Sequence, residues 1–124
     1  MTIPVQITLP RYRDKPLVFT GERLAHASSR FDGQDRWTEI SIFKTSFEEQ
    51  RYALHIVGKS SVADEVDLVT TILLHDAAEI LETLAREDRD GIEYLTRVAR
   101  DALAEAAEAD DEVRDAFEEW TSVA

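Results

Sequence analysis

Two apolar runs between Arg36 and Lys59 constrain the fold of this chain more than any other feature. The runs, R-W-T-E-I-S-I-F-K-T and R-Y-A-L-H-I-V-G-K, are rich in β-branched and aromatic residues and are separated by the polar segment S-F-E-E-Q. This pattern predicts a β-hairpin. Because neither run contains a proline, both can be central strands of a sheet.

The residues before the hairpin predict two more strands. Apolar and polar residues alternate over residues 3–9, which is typical of a strand with one buried face. Pro4 and Pro10 favour an edge position for it, since proline cannot donate to a β-ladder. A second strand is predicted at about residues 17–27, with a β-bulge at Gly21.

Turn and strand signals continue on both sides of the hairpin. Phe31-Asp32-Gly33-Gln34 contains an Asp-Gly pair and predicts the turn that leads into the hairpin. Asp64–Leu74 is compatible with either a helix or a strand. Its β-branched residues lead us to predict a fifth strand that ends near His75.

The last third of the chain has helical periodicity. Asp76 and Glu79 form an Asp variant of the capping box, which predicts a helix from Asp76 to Arg86. A second helix is predicted from roughly Ile92 to Ala109, and Asp110-Asp111 can cap a short final helix. We therefore predict an α+β fold, in which an antiparallel β-meander of four to five strands is followed by two to three helices packed on one face. One domain spans residues 1–124, with a mainly β part at 1–74 and an acidic helical part at 76–122.

Charge is distributed unevenly between the two halves of the chain. Residues 1–60 hold nine basic and seven acidic side chains, whereas residues 61–124 hold five basic and nineteen acidic ones. The total of −12 argues against direct nucleic-acid binding, because the surface would repel phosphates. The absence of cysteine excludes disulfides and thiolate metal sites. Without a signal-peptide pattern or an apolar run of about 20 residues, we expect a cytoplasmic protein that does not bind membranes.

We find no motif that predicts a reaction, a cofactor or a metal. The serines lack the contexts of known nucleophiles, and the four glycines are scattered and do not form a phosphate loop. His75, Asp76 and Glu79 are the nearest approach to a ligand cluster. We favour a helix cap there, because a capping box explains both carboxylates. An enzymatic role stays open but is the less favoured interpretation.

Several segments of the chain carry a resemblance to a known group. The segments Arg36–Ile40, Phe43–Thr45, Arg51-Tyr52 and Gly58–Ser60 resemble those of uncharacterised small proteins of actinobacteria and their mobile elements. The similarity covers about residues 17–112. It implies a β-meander followed by helices, and it assigns no site residue.

The charge pattern predicts a non-enzymatic interaction protein whose acidic helices bind a basic partner. In its sharpest form this is a nucleic-acid mimic that inhibits or regulates a nucleic-acid-binding complex, with carboxylates in place of phosphates. The predicted partner-binding residues are the helical carboxylates and two aromatic residues on the sheet: Glu93, Asp101, Glu105, Glu108, Asp111, Glu112, Asp115, Trp37 and Phe43.

Two alternatives from other classes stay open. One is a small-molecule-binding or enzymatic domain with a pocket between sheet and helices that uses Trp37, Tyr52 or His55. The other is a homodimeric structural or regulatory module, which joins through a sheet edge or the face that carries Trp37 and Phe43.

Overall fold

The computed structural model describes residues 4–11, 13–31 and 33–122. A five-stranded antiparallel sheet in the order β1-β2-β3-β4-β5 is followed by three helices, with a two-stranded ribbon between the first and second helices. The elements in chain order are β1 (Val5–Arg11), β2 (Asp14–Ser28), β3 (Arg36–Thr45), β4 (Tyr52–Ser60), β5 (Leu68–Leu74), α1 (Ala77–Leu84), β6 (Arg86–Glu87), β7 (Glu93–Tyr94), α2 (Arg97–Ala109) and α3 (Asp111–Ser122). The α+β prediction is confirmed.

The predicted central hairpin is present, and its register separates the side chains into two faces. Ile40 pairs with Ile56 and Ile42 with Leu54, and these residues contribute to the core beneath the helices. Facing positions of an antiparallel pair share a face, and successive residues alternate between faces. The residues between them therefore lie on the opposite face of the sheet.

The main core lies between the sheet and the three helices. Each helix contributes a buried apolar stripe, for example Ile80 in α1, Leu103 in α2 and Val113 in α3. These stripes pack on the isoleucines and leucines of β3 and β4. Burial of this apolar surface is the main force that holds the helical layer on the sheet.

The opposite face is covered because the sheet curls on itself. Leu9 and Leu17 pack around Phe43 there, together with Phe19, whose ring meets the Phe43 ring edge-on at 5.9 Å. At the open side of the curl, β1 and β5 approach each other, and the hydroxyl of Thr71 donates a hydrogen bond to the carbonyl oxygen of Pro10. Both faces of the sheet therefore carry a core.

Strand β2 departs from the prediction in the position of its bulge. The register with β3 shifts between Arg23 and Ala25, so the extra residue is Leu24 and the predicted bulge at Gly21 is wrong. Gly21 has a different role. A Cβ atom there would lie 2.0 Å from the carbonyl oxygen of Lys44, so the close approach of β3 requires glycine.

The structure also bears on the predicted edge strand and on the predicted turn before the hairpin. Strand β1 lies at the edge of the sheet, as predicted from its prolines. Ile3 and Asp32 lie outside the described residues. At the turn, Gly33 has a φ of 87°, and the amide of Gln34 donates to the carbonyl oxygen of Phe31.

The segment 86–94 is a small β-ribbon, and the prediction that the second helix starts near Ile92 is wrong. The carboxylate of Asp88 accepts hydrogen bonds from the amides of Asp90 and Ile92, and Gly91 has a φ of 78°. This turn competes with a helix. Helix α2 begins instead after Thr96, whose hydroxyl accepts from the amide of Ala99.

The other predicted helix starts are confirmed, as is the strand assignment of β5. Asp76 accepts from the amide of Glu79 at 3.0 Å, while the Glu79 carboxylate reaches back to the amide of His75 at 2.9 Å. Asp110 caps α3 by accepting from the amide of Val113. In the described part of the chain, every helix is too short or too polar to cross a membrane.

Candidate functional site

The solvent-facing sides of α2 and α3 form an acidic surface. Its members are exposed carboxylates: Asp101, Glu105, Glu108, Asp111, Asp115, Glu118 and Glu119. The two helices carry only three basic residues, Arg97, Arg100 and Arg114. Of these, Arg114 forms ion pairs with Asp111 at 3.1 Å and Asp115 at 3.9 Å. Carboxylates therefore outnumber cations across this surface.

A buried polar cluster holds the acidic surface on the sheet. Asp110, between α2 and α3, is 6% exposed and accepts hydrogen bonds from Lys44 Nζ at 2.7 Å and from the Tyr52 hydroxyl at 2.6 Å. Burial alone would raise the pKa of Asp110, but the bonds from Lys44, Tyr52 and the amide of Val113 outweigh it and lower the pKa. The same burial, together with the Asp110 carboxylate, raises the pKa of Tyr52.

A second pair joins the β3–β4 connection to two helices at once. Glu112 in α3 accepts a bidentate pair of hydrogen bonds from the Arg51 guanidinium and one from the amide of Ala77 at the start of α1. The hydrogen bond from Arg51 is the main reason that the pKa of Glu112 is lowered. Glu112 was predicted to bind a partner, and in the fold its carboxylate is occupied with internal donors.

The other predicted partner-binding residues are not all brought together. Asp101, Glu105, Glu108, Asp111 and Asp115 share the acidic surface, although the Glu105 carboxylate also accepts from the amide of His26 at 2.7 Å. Glu93 is exposed but lies in β7, so it does not continue the row of carboxylates along α2.

The two predicted aromatic residues have separate surroundings on the sheet. Phe43 is 7% exposed, because the curl of the sheet buries it among apolar side chains. Trp37 is half-buried, with the Arg30 guanidinium 4.0 Å from its ring centroid and its Nε1 donating to Glu39 at 2.8 Å. They do not form an exposed aromatic patch.

Beside Trp37, the curled face opens into a cleft of about 310 Å³, which we call the polar cleft. Its polar lining comes from β2, β3, β4 and the residue just before β5: His26, Glu39, Ser41, His55, Lys59 and Asp67 contribute. His26 Nδ1 lies 2.8 Å from the Ser41 hydroxyl, and its Nε2 lies 3.7 Å from Glu39. Ser41 and His55 are facing neighbours across β3 and β4.

A second cleft of about 310 Å³ lies between the sheet and the helices, where a ligand pocket was predicted. Thr38 and Ile56 of the sheet line it together with Thr83 and Arg86. The predicted pocket residues Trp37, Tyr52 and His55 are not among the described residues that line it. His55 lies instead in the polar cleft on the other face of the sheet.

Among the described residues, no group of three or more acidic or histidine side chains is placed to hold a metal ion. His75 Nδ1 lies 3.2 Å from Glu79, but both carboxylates of this segment hold backbone amides at the start of α1. Their role is that of the predicted helix cap.

Comparisons with protein-family models, curated proteins and solved structures return no match for this chain. The resemblance to small proteins of actinobacteria and their mobile elements therefore stays a prediction.

Sequence reasoning missed the polar contacts that position these surfaces. Lys44 and Asp110 are 66 residues apart, and Arg51 and Glu112 are 61 apart. Local patterns carry no signal for pairs at such separations. Alternation along β3 places Glu39 and Ser41 on one face. Strand β2, which carries His26, could not be aligned with them without the position of its bulge.

Proposed function

We propose that this chain is a non-enzymatic interaction protein whose acidic surface on α2 and α3 binds a basic partner. In the specific form of the proposal, the partner is a nucleic-acid-binding protein, and the carboxylates occupy its phosphate-binding groove. The observation that carries the proposal is the excess of exposed carboxylates over cations on two helices that pack as one layer.

The spacing of the carboxylates along α2 supports this proposal. Asp101, Glu105 and Glu108 are four and three residues apart, so they share one face of the helix and follow each other at about 6 and 4.5 Å along its axis. Such a row presents several negative charges to one extended partner surface. Attraction of this kind accelerates association and selects against acidic competitors.

The anchoring contacts also favour a rigid recognition surface. Asp110 ties the junction of α2 and α3 to Lys44 of β3, and Glu112 ties it to Arg51, just before β4. The neighbouring exposed carboxylates are therefore held in place. A rigid surface loses less conformational entropy on binding than a flexible acidic tail. The positions of the charges can therefore matter in addition to their number.

The test is a competition between this chain and DNA for the same proteins. Proteins from the native host that are retained on a DNA column are eluted and passed over the immobilised chain at about 0.1 M salt, where charge attraction is weakly screened. We expect a subset to bind and to be released by added double-stranded DNA. The chain itself should not bind DNA.

A pair of charge-matched variants makes the test specific. Asp101→Asn combined with Glu108→Gln removes two charges from the acidic surface and should abolish capture. Glu48→Gln combined with Glu49→Gln removes the same number from the exposed β3–β4 loop and should retain it. Equal losses in both variants, or capture that DNA does not reverse, would contradict the proposal.

A further inference from the structure

The hydrogen-bond directions around His55 determine which of its ring nitrogens carries the proton. The Thr71 hydroxyl has a single proton and donates it to the carbonyl oxygen of Pro10 at 2.8 Å. His55 Nδ1, 2.9 Å from the same hydroxyl oxygen, must therefore donate to it. Nε2 is left as a bare acceptor. Burial lowers the pKa of His55, which keeps this ring neutral at pH 7.

The neighbouring Ser41 is a second acceptor in the polar cleft. A proton on His26 Nε2 is attracted by the Glu39 carboxylate at 3.7 Å, which leaves His26 Nδ1 to accept from the Ser41 hydroxyl at 2.8 Å. With its proton used in this way, Ser41 Oγ has only lone pairs to offer. Ser41 and His55 face each other across the ladder, so their side chains start about 5 Å apart.

The charges of the polar cleft also favour a ligand that donates hydrogen bonds and carries a positive charge. Two carboxylates line it, Glu39 and Asp67, against one ammonium group, Lys59, whose Nζ pairs with Asp67 at 3.2 Å. Glu39 has no lysine or arginine partner within this lining. Its carboxylate accepts a hydrogen bond from Trp37 Nε1 at 2.8 Å and lies 3.7 Å from His26 Nε2. A ligand with hydrogen-bond acceptors or a negative charge would be repelled, because His55 Nε2 and Ser41 Oγ also present lone pairs.

We propose that the polar cleft binds a small organic cation with N–H donors, of the guanidinium or amidinium class. One N–H group donates to His55 Nε2 and another to Ser41 Oγ, while the positive charge lies near Glu39. The side chains of Val57 and Val69 line the cleft and contact the apolar body of the ligand. A volume of about 310 Å³ is at the small end of the range for ligand pockets.

Benzamidine is a suitable probe, and benzoate is its matched control, because the two have the same shape but opposite charge and opposite hydrogen-bonding groups. Titrations of the full chain are followed by NMR chemical-shift changes of the backbone amides. We expect benzamidine to shift amides around Ser41 and His55 and benzoate to leave them unchanged. No shift with benzamidine at millimolar concentration, or equal binding of benzoate, would overturn the proposal.

Variants separate this site from the acidic helices, which also attract cations. Ser41→Ala and His55→Leu should each weaken benzamidine binding about tenfold, since each removes one hydrogen bond to a charged group. Ser46→Ala and His75→Leu, at exposed positions, should have no effect. Circular dichroism checks that each variant is folded. If His55→Leu does not fold, Ser41→Ala decides the test, because it changes the side-chain volume less.

The acidic-surface double variant Asp101→Asn with Glu108→Gln provides the last control. It should bind benzamidine as the wild type does, because neither residue lines the polar cleft. Loss of benzamidine binding in this variant, with retention in Ser41→Ala, would place the cation on the helices and overturn the proposal. The cleft and the acidic surface are thus tested independently.

Discussion

Replacing Asp110 by alanine tests the contacts that hold the acidic helices on the sheet. The carboxylate caps α3, and loss of such a cap costs about 1 kcal/mol. The change also leaves the Tyr52 hydroxyl, on a fully buried side chain, without its acceptor, at a cost of about 1–3 kcal/mol. Lys44 is 42% exposed, so water replaces its lost partner. We therefore expect the free energy of unfolding to fall by about 2–4 kcal/mol.

Urea unfolding followed by circular dichroism at pH 7 measures this change. Asp111→Ala is the matched control, because the neighbouring Asp111 side chain is 86% exposed, and its loss should change stability by less than about 0.5 kcal/mol. In a Tyr52→Phe background the cost of Asp110→Ala should fall by about 1–3 kcal/mol, since no hydroxyl is left unpaired. A cost below about 1 kcal/mol in the wild-type background would refute the proposed role of the cluster.

Three further predictions concern local features of the fold. Gly21→Ala should destabilise the chain by about 3 kcal/mol or more, because its methyl group would overlap a β3 carbonyl oxygen, while Gly58→Ala, with space for a Cβ atom, should be tolerated in the same urea unfolding assay. Thr96→Ala should lower stability by about 1 kcal/mol and reduce helicity in circular dichroism, since it removes the cap of α2. Because Arg51 lowers the folded-state pKa of Glu112, the folded state releases this proton more readily than the unfolded state. The pair therefore stabilises the fold above the unfolded pKa of about 4.3, and this contribution is lost as the pH falls. In urea unfolding, the free energy of unfolding should fall less between pH 7 and pH 3 for Arg51→Gln than for the wild type.

The periodic parts of the fold were predictable from the sequence. Alternation over Arg36–Lys59 defined the central hairpin and its two faces, and the capping residues at positions 76 and 110 defined two of the helix starts. These features depend on neighbours within a few residues. The second helix was predicted to start near Ile92, whereas it starts at Arg97. Helical periodicity alone does not reveal that the Asp88 turn and the Thr96 cap delay the start of the helix.

The surroundings of the candidate sites depend on distant contacts, and most of them could not be predicted. Period-two alternation places Phe43 on the face opposite Ile40 and Ile42, but only the curl of the sheet reveals that Phe19 covers it. The polar cleft requires the Leu24 bulge, which moves His26 onto the same face as Ser41. The acidic surface was predicted from the charge composition of the helices. That Glu112 instead binds Arg51, 61 residues away, could not be predicted.

The salt dependence of partner binding is the most direct measurement of the central claim. For a protein captured in the DNA-competition experiment, the dissociation constant is measured by surface plasmon resonance between about 0.1 and 0.5 M salt, a range over which screening increases strongly. The proposed acidic surface predicts steep weakening with salt for the wild type and a shallower slope for Asp101→Asn with Glu108→Gln. The same slope for both proteins, or affinity independent of salt, would contradict it.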